Sequence, residues 1–318
     1  MANESIKLGI DLSREKIRFI EAEEWNDRLN ITCTVQELLQ KPFEFAVVGD
    51  EQLVPEISSL IDKAAESFHE HASEARVCID RRLALKKTFA VDKRLSTEAI
   101  SKHIEWELEQ TLIAPRDEYN VGFEHIVLPT AKNDIVVFAA VRKALVSYID
   151  RIFKTSRLTL KALDIDLFAS IRALVRAYED KLGGVSALVD LSGSGIGYAL
   201  LVDGQYAIST EKSYATASDQ TTADELSAQD LAAKVNSELK GLIEYLEEEL
   251  GISNLNHIYI CGEKAGREIV SELQGLQLTA AVDMVEPFQN VHRQLNIESQ
   301  MLMDEYAPSF LSCFGMIL

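Results

Sequence analysis

The chain of 318 residues is short of basic residues: 32 Lys and Arg stand against 51 Asp and Glu, a formal net charge of -19. A field of that sign repels phosphate backbones and anionic lipid, which argues against nucleic acid as a partner and against direct membrane insertion. Cysteine is scarce as well. Cys33, Cys78, Cys261 and Cys313 show no CxxC or other metal spacing, and each lies in an apolar neighbourhood, so they read as buried thiols of a reducing compartment. No uncharged apolar run reaches the ~18 residues that span a bilayer, and the start "MANESIKLGIDLS" lacks the basic-then-apolar pattern of an export signal. These absences predict a cytoplasmic protein. Catalytic signatures are missing too. His69 and His71 are two apart and would sit on different faces of a helix, His103-Ile104-Glu105 has no PCxxC after it, and no GxSxG elbow occurs. No residue is therefore assigned a catalytic role.

What the chain has is patterned apolar sequence of ordinary globular composition, 47% hydrophobic and 26% charged, enough for about two domains. The runs "IKLGIDLS", "KIRFIEAE" and "LNITCTVQEL" predict an antiparallel meander. Val54, Ile57, Leu60, Ile61, Ala64, Ala65 and Phe68 then recur at helical spacing, and "ARVCID" reads as a buried strand. A strand "LALKKTFAV" leads to a helix capped by Ser96, with Ile100, Ile104 and Leu108 on one face and Pro115 at its end. Trp106 on that helix is read as packing into the core of a small inserted subdomain. Strands "YNVGFEHIVL" and "DIVVFAAV", a helix from about Lys143 to Ser156, the strand "LTLKALDID" and the helix "LFASIRALVRAYEDKL" follow, with Gly183 and Gly184 as the hinge. Beyond it come a second meander ("VSALVDLS", "GYALLVDG", "QYAIST"), a polar stretch, and a helix from about Ala228 to Leu250. The strand "HIYICG", a helix from about Lys264 to Leu273, the strand "LQLTAAV" and one final helix "SQMLMDEYAPSFLSCFGMIL" complete the pattern.

The two halves repeat. Ile10-Asp11-Leu12-Ser13 falls on Val189-Asp190-Leu191-Ser192, and each block runs into a second strand. Two such units predict similar domains facing each other across a cleft, with each aspartate at a turn directed at one ligand. Gly193, Gly195 and Gly197 would let a backbone approach an anion closely, though alone they make only a glycine-rich turn.

The chain at this point resembles the actin, Hsp70 and sugar-kinase superfamily, and within it the PilM family of type IV pilus assembly. The resemblance is carried by "LSTEAISKHIEWELEQTLIAPRDEYNVGFEHIVL", by "VVFAAVRKALVSYIDRIFKTSRLTLKALDIDLFASIRAL" and by the ending "APSFLSCFGMIL". It implies an α/β, actin-like (duplicated, ribonuclease H-like) fold: domain I over 1–182 with an inserted subdomain at about 84–132, domain II over 183–300 with its smaller part at about 212–250, and a C-terminal helix, 301–318, folded back on domain I. It implies ATP with Mg²⁺ organised through Asp11 and Asp190. Ser13 and Arg18 belong to the first turn; Ser192, Gly193, Ser194 and Gly195 to the second; Glu238, Lys240, Gly262 and Glu263 to the ribose and base side. The chain departs from the family at Ser13-Arg14-Glu15-Lys16, where glycine and small residues are usual, and at Glu263, where a second glycine stands.

The resemblance also implies the partner: the cytoplasmic tail of an inner-membrane PilN-like protein, held as an extended peptide and linked to the pilus assembly machinery, with binding rather than turnover as the mechanism. A nucleotide-hydrolysing or phosphoryl-transfer enzyme of the superfamily would need an acceptor pocket and a catalytic carboxylate in domain I, which no segment supplies. A GspL-like type II secretion domain would normally continue into a transmembrane helix. The terminal "FLSCFGMIL" lacks flanking Lys or Arg and has Asp304 and Glu305 nearby, which favours a helix packed on the protein over one that binds membrane.

Overall fold

The computed structural model describes residues 5–26, 28–69, 72–193, 195–214, 226–276 and 279–318. Along the chain run β1 (Ser5–Leu12), β2 (Lys16–Trp25), β3 (Arg28–Leu38), α1 (Leu53–Ala65), β4 (Glu74–Ile79), β5 (Ala84–Val91) and α2 (Thr97–Thr111). Then come β6 (Tyr119–Ile126), β7 (Asp134–Arg142), α3 (Lys143–Thr155), β8 (Thr159–Ile165) and α4 (Asp166–Tyr178). The second half holds β9 (Val185–Ser192), β10 (Gly195–Val202), β11 (Gln205–Lys212), α5 (Ala228–Leu250), β12 (Leu255–Cys261), α6 (Arg267–Gly275) and β13 (Ala281–Met284). β14 (His292–Arg293), α7 (Ile297–Tyr306) and α8 (Leu311–Gly315) follow.

The duplication is visible in the sheets. One is ordered β14-β3-β2-β1-β4-β8 and another β11-β10-β9-β12-β13. In each, an antiparallel meander places its first strand in the middle, and two further strands join parallel to it: β4 and β8 beside β1, β12 and β13 beside β9. A third, small sheet is ordered β5-β7-β6 and packs α2 through Phe89, Val91, Ile100, Ile104, Leu108, Val136 and Phe138.

The described residues group into two compact units: one from 1–84, 141–177 and 286–318, the other from 85–140 and 178–285. In the first, β1 is buried on both faces from Leu8 to Leu12, with large apolar residues alternating with Gly9 and Asp11. Leu8, Ile10 and Leu12 pack with Ile57 and Ile61 of α1 and Ile149 and Ile152 of α3. On the other face a Cβ added at Gly9 would collide with the Cys313 carbonyl and lie 2.9 Å from Ile317 Cγ2. Glycine there is a requirement of close approach. In the second unit the small sheet is tied to the second repeat by a Thr88–Tyr206 hydroxyl contact of 2.8 Å and a Lys86–Glu211 ion pair of 2.8 Å. Lys132 N–H also donates to the Leu250 carbonyl at 2.8 Å.

Several local expectations shift. The last helix is two, because Pro308 interrupts the turn at 307–310 between α7 and α8. The helix expected from Lys264 starts at Arg267, and the strand expected over "LQLTAAV" is Ala281–Met284; Gln277 and Leu278 lie outside the described residues, as do His71 and most of the polar stretch after β11, 215–225. Trp106 does not enter a core: it is 56% exposed. Two positions beyond Ile104 means about 200° around the helix, the side away from the sheet. Among the described residues no helix is long and apolar enough to cross a membrane.

Candidate functional site

Each repeat builds a tight hairpin at the end of its central strand, and the two are closed by the same serine contact. In the first, Ser13 Oγ donates to the Lys16 carbonyl at 2.9 Å; in the second, Ser192 Oγ donates to the Gly195 carbonyl at 3.0 Å. The aspartates precede these serines by two residues, and the ladders fix what faces them. Asp11 stands opposite Arg18, and Asp190 stands opposite Gly197.

That single difference gives the halves different chemistry. Arg18 Nη1 donates to Asp11 Oδ2 at 3.3 Å, with both side chains 5% exposed, and Arg18 Nε donates to Gln36 Oε1 at 3.0 Å. The guanidinium carbon lies 6.0 Å from the centre of the Phe310 ring. Two thiols line the same aspartate. Cys78 Sγ donates to the Ile10 carbonyl at 3.5 Å and to Asp11 Oδ1 at 3.7 Å, and Cys313 Sγ donates to the Gly9 carbonyl at 3.1 Å. Burial, with Asp11 nearby, pushes both thiols well above the usual range, so they remain protonated donors. The turn itself is pinned from the side: the Arg14 and Glu15 carbonyls accept from Phe43 N–H (2.6 Å) and Leu39 N–H (2.9 Å), while Arg14 pairs with Glu44 at 3.2 Å and the Glu15 side chain faces solvent.

The carboxyl ends of the parallel strands in this unit repeat the theme. Asp80 after β4 pairs with Arg82, Asp166 after β8 receives both contacts of Arg81 Nε (3.0 and 3.1 Å), and Asp164 pairs with Arg172 at 2.6 Å. Asp–Arg matching is thus general along this edge. No three His, Cys, Asp or Glu side chains of the described residues converge as a metal centre. A divalent cation at Asp11 would stand beside a buried guanidinium, so the residues present do not fit Mg²⁺ at that carboxylate.

The second hairpin is built of smaller parts. Gly262, with φ +93°, brings its backbone against Asp190: a Cβ there would lie 2.5 Å from Asp190 Oδ1 and 2.7 Å from the Leu191 carbonyl. Lys264 N–H donates to that same carbonyl at 3.0 Å. A Cβ at Gly195 would lie 2.7 Å from the Lys212 carbonyl. Both glycines are therefore demanded by the protein's own packing, whether or not an anion approaches. Gly193 forms the turn; Ser194 lies outside the described residues. Tyr214 Oη donates to the Ser192 carbonyl.

Glu238 of α5 reaches the end of β11, pairing with Lys212 Nζ at 3.2 Å. Burial, with the Glu238 charge adding, raises the Tyr198 phenol. Lys240, two residues on, is exposed on another side of the helix, and Glu263 is half-buried in the loop before α6. The geometry thus brings Asp190, Ser192, Gly195 and Gly262 together, and joins Glu238 to them through Lys212; Lys240 stays apart. Lys212 is the residue that sequence reading missed. Its signal is weak, since a lysine at a strand end finds its carboxylate 26 residues later only through the tertiary fold.

Comparison with known proteins follows this geometry. Residues 9–224 match the type IV pilus assembly protein PilM family. Among solved structures, a chain of a PilM–PilN type IV pilus biogenesis complex is similar over 98% of this chain and 97% of its own, with 14% identity and a TM-score of 0.73. A Bacteroides thetaiotaomicron protein with an actin-like ATPase fold and unknown function is similar more distantly (11% identity, 94% and 95% covered, TM-score 0.47). So is the cytoplasmic domain of EpsL, an inner-membrane component of the Vibrio cholerae type II secretion system (11%, 95% and 94%, TM-score 0.45). Comparison with curated protein sequences gives no match. The fold is actin-like, and the chain belongs to the PilM family of type IV pilus assembly proteins.

Proposed function

We propose that this protein is an actin-like adaptor of type IV pilus assembly that captures the cytoplasmic tail of a PilN-like inner-membrane protein, and through it sits at the inner face of that membrane. The observation that carries this reading is the family match over residues 9–224, together with a fold shared along nearly the whole chain with a member of a PilM–PilN complex. The domains we propose follow the repeat, 1–182 and 183–300, and binding, with no catalytic turnover, is the activity.

The inserted sheet supports a peptide receptor. Its edge strand β6 carries Phe123, 61% exposed, and Ile113 is exposed just after α2. An edge strand offers main-chain groups to an extended peptide, and exposed apolar side chains give it specificity. The exposed carboxylates Glu118, just before β6, and Glu124, on it, favour a tail of apolar and basic residues. Nucleotide enters the proposal through the second hairpin, where the peptide backbone at Gly193 and the Lys212 ammonium offer donors to phosphate. ATP there is a structural or switching ligand, and a metal ion carried with it would shield the phosphates.

The test is calorimetric titration with a synthetic N-terminal tail of a PilN-like protein from the same genome. Saturable one-to-one binding, weakened by salt and by Phe123→Ala, is expected. Titrations without heat for every candidate tail would sink the reading.

A further inference from the structure

The duplicated hairpins differ at one register position, where the first carries its own cation. Seven residues after the aspartate, the second repeat has Gly197, buried and without a side chain, opposite Asp190. The first has Arg18 opposite Asp11. This arginine is no mobile surface cation: Asp11 and Gln36 receive its hydrogen bonds at 3.3 and 3.0 Å, Phe310 lies along it, and its side chain is 5% exposed. A carboxylate needs one compensating charge in a buried setting, and here the chain supplies that charge covalently.

We propose that Arg18 is the resident cation of the first hairpin: it occupies at Asp11 the electrostatic role that Mg²⁺ would fill, so this carboxylate takes no divalent ion. A fixed +1 guanidinium beside the carboxylate repels an incoming +2 ion, and displacing it would leave a buried arginine unmatched. The surrounding edge agrees, since Asp80, Asp164 and Asp166 are each already matched by Arg82, Arg172 and Arg81.

The experiment compares wild type and Arg18→Gln, which keeps hydrogen-bonding capacity and removes the charge. Thermal melting is recorded with millimolar MgCl₂ or with EDTA. In the wild type, Mg²⁺ should leave the melting temperature unchanged, whereas Arg18→Gln should be stabilised by it. A shift with Mg²⁺ only in Arg18→Gln supports the assignment; wild-type stabilisation by Mg²⁺, or equal responses of the two proteins, would overturn it. If Arg18→Gln does not fold, the wild-type arms alone decide.

Discussion

Asp80 shows at the scale of one residue how this edge is held. It follows β4, is buried, and accepts from the Arg82 backbone N–H at 2.9 Å and from its guanidinium. Burial works to raise its carboxyl, but the Arg82 hydrogen bonds and charge outweigh it and hold the group below the usual carboxylate range. A depressed folded value means the pair contributes stability above the unfolded pKa of about 4 and loses it as pH falls through the folded value. Asp80→Asn should therefore cost about 1–2 kcal/mol at neutral pH by urea denaturation, the low end for such a pair because Arg82 is reached by water. The difference from wild type should shrink as pH drops below about 4. A gap that stays constant through that range would show that the ionised carboxylate is not what Asp80 contributes.

At the scale of elements, the closest approaches are made at two glycines. Gly9 of β1 lies against α8, and a Cβ at Gly315 of α8 would overlap the Ala169 carbonyl of α4. Neither obstacle is a flexible side-chain end, so the helix must move. Gly9→Ala and Gly315→Ala should each cost about 2–3 kcal/mol in denaturant titrations, and loss under about 0.5 kcal/mol at both would contradict this packing. Elements were also where the sequence spoke most clearly. Alternation and polar turns marked both meanders, Ser96 caps α2 through the Ala99 N–H group as its position suggested, and the Asp11/Asp190 repeat fell on equivalent hairpins. What stayed hidden needed strand pairing or long-range contact. Arg18 is seen opposite Asp11 only once the hairpin register is known, and Lys212 meets Glu238 only after α5 returns to the sheet. β14, two residues long, is too short for any periodicity. Trp106 was legible in principle, since its spacing from Ile104 already places it on the outer side of α2.

At the scale of the whole molecule, the last residues belong to the first sheet. Phe310, Leu311, Cys313, Phe314 and Ile317 are all buried, Arg172 Nε donates to the Gly315 carbonyl at 3.3 Å, and Arg76 donates to the Leu318 carbonyl at 3.4 Å. The apolar ending is thus core of its own unit. A variant ending at Tyr306 should expose the β1–β4 face, bind a hydrophobic dye and lose cooperative melting; a cooperative transition within a few degrees of wild type would show that the ending is dispensable.

The Cys313–Gly9 hydrogen bond joins residues 304 apart in sequence. On the ribosome, at about 5–20 residues per second, roughly 15–60 s separate the making of the two partners. For that interval β1 waits with its Gly9 face uncovered, and its unit can close only once α8 has been made. The nascent chain is therefore a natural client for chaperones, and ribosome-stalled chains ending before Ala307 should recruit them more strongly than chains that include α8.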